Sequence, residues 1–276
     1  MGNEELVVDA AWVASHLDEP NVRLVEVDVS RAAYDEGHIP GAVLWNAYSD
    51  LRDSTYIPIG HAELERLLSR SGLAPDTTVV FYGYGAMLGL WLMQAHGHRD
   101  TRVLAGPRDQ WTLAGGRWST EVPEPAETSY SLPRPMTELL SSRAAVEAAI
   151  GDPGQLLLDV RAGSEFDGER FWPSGATEDV GRAGHIPGAL SVPIDELRNE
   201  DDTLRPREQL HRVLHRAGVT ADKNVVVYCT IGNRASQAWF ALRHLLGYRR
   251  VSVYYGSWVE WGKAADTPIE AEASVD

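Results

Sequence analysis

The pentapeptide His38-Ile39-Pro40-Gly41-Ala42 returns residue for residue as His185-Ile186-Pro187-Gly188-Ala189, an offset of 147 (38 to 185). Five identical residues in order mark a duplicated unit, and a duplication limits the folds open to a chain more tightly than its composition does. Val79-Val80-Phe81-Tyr82 matches Val225-Val226-Val227-Tyr228 at an offset of 146, and 106–111 matches 256–261 at 150. Upstream, Leu24-Val25-Glu26-Val27-Asp28-Val29 is similar to Leu156-Leu157-Leu158-Asp159-Val160. Aligning Asp28 with Asp159 (offset 131) leaves 16 additional residues in the second copy, about 167–182. The 276 residues are therefore expected to form two related domains rather than one large one.

The junction shows in composition. Residues 121–135 hold Pro123, Pro125, Pro133 and Pro135 among small polar residues, a pattern that suits neither a helix nor a central strand. The expected division is a first domain over 1–122, a proline-rich extended linker over 123–135 and a second domain over 136–276. In the second copy, 156–160, 225–228 and 251–254 are continuous apolar runs of the length of buried parallel strands. Between them, 207–217 and 234–246 have helical apolar spacing, the latter closed by Gly247 at a C-cap position. Strands alternating with helices predict an α/β fold in each copy, a mainly parallel sheet with helices on both faces. Ligands of such sheets bind beyond the carboxyl ends of the strands.

Charge and targeting signals narrow the function classes. With 25 Lys+Arg against 40 Asp+Glu the net charge is −15, which disfavours nucleic acid and anionic membrane surfaces as partners. The N-terminus, MGNEELVVDA, is acidic where a signal peptide is basic, and Leu6 stands where a myristoylation motif needs Ser or Thr. The longest nearly unbroken apolar stretch, 86–93, is far shorter than the ~20 residues of a membrane span. A cytoplasmic protein is expected. The single cysteine, Cys229, excludes an intrachain disulfide framework and a metal site of several thiolates. It leaves open a nucleophile.

A lone cysteine is most often a buried, inert small hydrophobe. Position argues otherwise here. Cys229 closes the apolar run 225–228 and precedes Thr230-Ile231-Gly232-Asn233-Arg234 and a helix. That placement puts it under backbone N–H groups and a helix N-terminus, both of which stabilise a thiolate. Gly232 permits the tight turn and Arg234 brings positive charge.

Cys-Thr-Ile-Gly-Asn-Arg-Ala-Ser after Val-Val-Val-Tyr, together with the two His-Ile-Pro-Gly-Ala motifs, resembles the tandem-domain rhodaneses, the family of thiosulfate sulfurtransferases, over essentially the whole chain. The resemblance implies two rhodanese-like domains, a catalytically silent first one and a persulfide-forming cysteine in the second. Carried over, it makes Cys229 the nucleophile, Thr230, Ile231, Gly232, Asn233 and Arg234 the cradle, and Arg161 the substrate-binding arginine at the end of an Asp-x-Arg strand. It implies a small-molecule sulfur donor, cyanide or a thiol as acceptor, a protein as a further acceptor, and no metal or organic cofactor. Thr230 stands where several thiosulfate-using relatives carry a basic residue and 3-mercaptopyruvate-using relatives tend to carry Gly, so both donors stay open, with thiosulfate as the leading one.

The residues support one site per chain. With Tyr82 aligned to Tyr228, Gly83 replaces Cys229; with Asp28 aligned to Asp159, Ser30 replaces Arg161. No arginine occurs from 83 to 98. The Cys-x4-Arg spacing is one residue shorter than the Cys-x5-Arg of cysteine phosphatases, which gives a narrower anion cradle and argues against phosphatase chemistry. A sulfur-carrier or regulatory module is the non-enzymatic alternative. His38 and His185 recur in both copies, including the one without a thiol, and are read as scaffold. Trp111 and Trp261 are read as core, Ser257 and Trp258 as candidates to line the site, Asp159 as orienting Arg161 or satisfying backbone, and 167–182 as a surface loop, with a lid as the alternative.

Overall fold

The computed structural model describes residues 6–176 and 181–271. The first five residues, read above for targeting signals, and residues 177–180 of the inserted stretch lie outside the described residues. Contacts divide the chain into two compact units between Met136 and Thr137.

In the first unit the elements run β1 (Val7–Val8), α1 (Ala10–His16), β2 (Val22–Asp28), α2 (Ala32–Glu36), β3 (Val43–Asn46), α3 (His61–Arg70), β4 (Thr78–Tyr82), α4 (Ala86–Ala95), β5 (Thr101–Leu104) and α5 (Gln110–Leu113). Its sheet has the order β1-β5-β4-β2-β3 with every pairing parallel. The second unit repeats the plan with β6 (Leu140–Ser141), α6 (Arg143–Ala149), β7 (Gln155–Asp159), α7 (Gly163–Phe166), β8 (Leu190–Ser191), a 3-10 turn at Ile194–Leu197, α8 (Arg207–Arg216), β9 (Asn224–Tyr228), α9 (Asn233–Phe240), β10 (Val251–Tyr254) and α10 (Ser257–Lys263). Its order is β6-β10-β9-β7-β8, again all parallel. The α/β expectation holds in both units. Thr-Val-Val-Phe-Tyr in β4 is buried throughout because helices flank a parallel sheet on both faces, and β9 differs only in its half-buried first residue, Asn224. Each of these strands is central, so its carboxyl end opens into the crevice where such sheets take ligands.

Strand register corrects the upstream alignment. Tyr82 pairs across the sheet with Glu26, and Tyr228 with Asp159. The two tyrosines are true equivalents, since each phenol accepts an N–H from the isoleucine of its pentapeptide, Ile39 at 3.1 Å and Ile186 at 3.2 Å. Glu26, not Asp28, therefore stands at the position of Asp159, an offset of 133 (26 to 159), and Asp28 stands where the second unit has Arg161. The alternation of apolar and acidic residues in β2 allowed a slip of two, which preserves the facing of side chains and so escapes a pattern match. The insertion shrinks accordingly to 14 residues, the difference between the offsets 147 and 133.

Two further expectations change. The helix expected over 234–246 is α-helical only to Phe240; Ala241–Leu245 widen to π spacing, with Leu246 N–H reaching back to the Ala241 carbonyl at 2.9 Å. Trp239, Phe240, Ala241 and Leu242 are consecutively buried, more than one helical stripe accommodates. The proline-rich stretch forms no helix or strand, yet it is no loose spacer. Thr128 N–H donates to the Ser69 carbonyl at 3.0 Å, Leu132 N–H to Glu65 at 2.8 Å and Met136 N–H to the Ala95 carbonyl at 2.8 Å, while Tyr130 and Leu132 are buried. The segment is a strap on the first unit.

Candidate active site

β9 ends at Tyr228, and four residues, Cys229 to Gly232, turn the chain into α9. The turn is built around Gly232, whose φ of 93° is open to glycine at little cost. That conformation aims the Gly232 N–H at the Cys229 Sγ, 3.0 Å away. The first carbonyls of the turn are drawn to α10 instead: Trp258 N–H donates to Cys229 O at 2.9 Å and Val259 N–H to Thr230 O at 3.1 Å. Ser257, itself at φ 54°, accepts the Cys229 N–H at 3.4 Å and donates to the Tyr254 carbonyl at 2.9 Å. Ser257 and Trp258 are fully buried, so they brace the turn from within. Cys229 is 1% exposed.

The cations expected beside the thiol are both paired with buried carboxylates. Arg161 is wholly enclosed: its Nε and Nη2 bond Asp159 at 3.0 and 2.6 Å, Nη2 also bonds the Gly184 carbonyl at 2.6 Å, and its guanidinium lies 4.3 Å from the Trp258 ring. Arg161, expected to bind substrate, thus has its charge paired with Asp159 and its side chain enclosed, with Nη1 left without a hydrogen-bond partner among the described residues. Arg234 bonds Glu165 through Nη1 at 2.7 Å and Nη2 at 2.9 Å, and its Nη2 also reaches Thr230 Oγ1 at 2.6 Å. Thr230 in turn donates to Glu165 Oε1 at 2.7 Å, closing a ring of three side chains. Glu165 was not singled out in the sequence. It sits in α7, and its Oε2 also accepts the Ala162 N–H at 3.2 Å. Burial acts to raise its pKa, but the hydrogen bonds and charge of Arg234, the Thr230 hydroxyl and the charge of Arg161 together hold it below the usual glutamate range. Within the cradle, Ile231 is buried, and Asn233 is buried with neither side-chain amide atom hydrogen-bonded among the described residues.

The first unit provides an internal control. Gly83, at the position of Cys229, has φ 90°, and a Cβ there would lie 2.9 Å from the Val27 carbonyl. Its turn holds three residues, 83 to 85, before α4 begins. At the position of Asp159, buried Glu26 is paired with Arg108 at 2.8 Å, and Arg108 occupies the place of Trp258 at the offset of 150. A carboxylate–guanidinium pair at this strand end thus persists where no thiol exists. The ring does not: Glu165, which precedes Phe166 as Ala33 precedes its counterpart Tyr34, is replaced by Ala33, Thr230 by Tyr84, and the shortened turn has no arginine. The histidines also repeat as scaffold, His38 stacked on Tyr34 at 3.8 Å and His185 on Phe166 at 3.6 Å. No cluster able to hold a metal ion occurs among the described residues.

A model of the rhodanese-like domain matches residues 9–114 and again 142–264. The chain belongs to the rhodanese family. As a rhodanese it is similar to a protein of Haloferax volcanii provisionally named thiosulfate sulfurtransferase, 40% identical over 277 residues that cover 97% of this chain and 96% of that one. The sulfur carrier protein TtuD of Thermus thermophilus is 38% identical over 274 residues, covering 96% of each chain. Among solved structures, the anaerobic ergothioneine biosynthesis enzyme of Chlorobium limicola, in complex with trimethyl histidine, superposes with a TM-score of 0.85 at 27% identity. That match covers 98% of this rhodanese and 71% of the other chain. No helix among the described residues is long and apolar enough to cross a membrane.

Proposed function

We propose that this rhodanese is a sulfurtransferase that carries sulfane sulfur as a persulfide on Cys229, with thiosulfate as donor. The observation that carries the reading is the 3.0 Å contact from Gly232 N–H to Sγ at the carboxyl end of the central strand, a dipole aimed at the atom where negative charge collects. In the first step the Cys229 thiolate attacks the outer sulfur of thiosulfate; a new S–S bond forms, the S–S bond of thiosulfate breaks, and sulfite leaves with its electron pair. In the second, cyanide or a thiolate attacks the outer sulfur of the persulfide and Cys229 departs as thiolate. Arg234, Thr230, Ile231, Gly232 and Asn233 shape the cradle, and Arg161 with Asp159 keeps the strand end rigid beneath it. The names of the Haloferax and Thermus relatives support sulfur handling. So does an ergothioneine-bound structure of a similar enzyme that carries a cysteine persulfide.

The test is intact mass after incubation with thiosulfate. Wild type gains one sulfur, about 32 Da, and the Cys229→Ser variant gains none; no gain in wild type, or a gain in the variant, defeats the reading. A second donor, 3-mercaptopyruvate, is favoured by one observation: both arginines are charge-paired, so the turn offers a dianion little net attraction. Comparing kcat/KM for the two donors, with sulfite and pyruvate both quantified, decides between them.

A further inference from the structure

Glu165 is the one ionisable partner in the cradle that the proposed chemistry leaves without a role. It is fully buried, ionised, and divides its two oxygens among Arg234, Thr230 and the Ala162 N–H. A carboxylate beside a site for anionic donors opposes their binding, and burying one is costly unless it is paired. A scaffold need would leave a trace in the silent unit, as the Asp159–Arg161 pair does in Glu26–Arg108. Instead the whole ring is gone there, with Ala33 at the position of Glu165 and Tyr84 at that of Thr230. The ring travels with the thiol.

We infer that Glu165 is a specificity-determining residue that sets the donor's charge class: by cancelling Arg234 within the Thr230 ring it removes the cradle's preference for a dianion over a monoanion. The inference rests on the persulfide reading above and deepens it. Thiosulfate carries two negative charges and 3-mercaptopyruvate one. Interaction with a fixed site charge scales with ligand charge, so removing the carboxylate changes the logarithm of affinity about twice as much for thiosulfate. Holding the ring closed also keeps the Arg234 side chain only 13% exposed, with its guanidinium bonded to Glu165 and Thr230.

The experiment measures KM and kcat for both donors in wild type and Glu165→Gln. The expected result is a fall in KM of about tenfold for thiosulfate and about threefold for 3-mercaptopyruvate, with kcat changed less than KM. Equal factors for the two donors, or a rise in the thiosulfate KM, overturn the inference. Glu165→Asp keeps the charge, so its donor ratio stays within about twofold of wild type even where kcat falls; a ratio that moves as in Glu165→Gln counts against a charge effect. Wild type alone supplies a further arm that no folding defect can remove. With the cradle neutralised and the chain at −15, kcat/KM for thiosulfate holds or rises between about 20 and 200 mM salt, whereas a steep fall reveals an uncompensated cation and overturns the assignment. If Cys229 takes up no sulfur from either donor, the functional reading falls and this one with it. If uptake occurs and the donor ratio ignores Glu165, only this one falls.

Discussion

The ends of β4 and β9 are the same place in two copies of one fold, and they differ in a single turn. In the first unit three residues, Gly83 to Gly85, carry the chain from strand to helix, with Gly85 N–H bonded to the Val27 carbonyl at 2.7 Å. In the second unit four residues do so, and the extra one lets Gly232 swing its N–H onto a thiol. Below the turn the copies agree: a buried carboxylate, Glu26 or Asp159, is neutralised by an arginine, although Arg108 comes from the loop after β5 and Arg161 from the loop after β7. What a duplicated scaffold retains in both copies is what the fold needs, and what it retains in one is what the chemistry needs. By that criterion His38, His185 and the strand-end ion pairs are common to both copies, and Cys229, Thr230, Arg234 and Glu165 are the residues proposed for the site.

The sharpest way to break this comparison is to exchange the turn residues. Cys229→Ser should lower sulfur transfer on the order of 10⁴-fold or more, measured as thiocyanate release, with the circular dichroism spectrum unchanged. Adding Gly83→Cys to that variant should restore nothing, because a side chain at φ 90° meets the Val27 carbonyl, and strain of about 1–3 kcal/mol should lower the urea midpoint. A mass gain of one sulfur in the double variant would show that the first turn is only missing its thiol.

Next in size are the ion pairs. Arg234→Met strands a fully buried carboxylate and should cost about 3–5 kcal/mol, together with loss of persulfide formation. Arg108→Met strands Glu26 in the same way, but with water nearer the pair, since Arg108 is 25% exposed against 13% for Arg234. It should therefore cost less, and persulfide formation should survive. Denaturant melts with intact-mass readout separate the two; equal loss of persulfide in both variants would end the assignment of one pair to fold and the other to chemistry.

A smaller effect follows from the depressed pKa of Glu165. The unfolded chain takes up this proton first as pH falls, so the stability contributed by the group is complete above the ordinary value of about 4.3 and drains away as pH drops through the folded value. Urea midpoints between about pH 6 and pH 3 should fall less steeply for Glu165→Gln than for wild type. Identical slopes would mean that Arg234 does not hold the charged form.

Smallest is the strap over 122–136. His98 lies buried with Nε2 on the Thr77 carbonyl at 2.7 Å and Nδ1 on the Tyr130 hydroxyl, and burial lowers its pKa, the backbone bond to Thr77 only partly offsetting that. Neutral His98 then accepts from Tyr130. Tyr130→Phe leaves Nδ1 without its donor, which should cost about 1–2 kcal/mol and quicken proteolysis within the strap. An unchanged cleavage rate would mean that the backbone bonds from Thr128, Leu132 and Met136 suffice.

Much of this molecule was legible in the linear chain. The repeated pentapeptide determined two copies, the continuous β-branched runs determined the parallel strands, and the absence of any second cysteine confined thiol chemistry to the end of β9. Those features are local, and periodicity or identity reveals them. The partners of the charges were not legible. Arg161 and Arg234 were read as substrate-binding cations, the latter with no carboxylate partner named; Arg161 is paired with Asp159 against Trp258, and Arg234 with Glu165, 69 residues earlier in the chain. A slip of two in aligning β2 with β7 hid the equivalence of Glu26 and Asp159, because alternate strand residues face alike and only hydrogen-bonded register distinguishes them. Which cation remains available to a ligand depends on which carboxylate is buried beside it, and burial is a property of the packed fold rather than of any stretch of sequence.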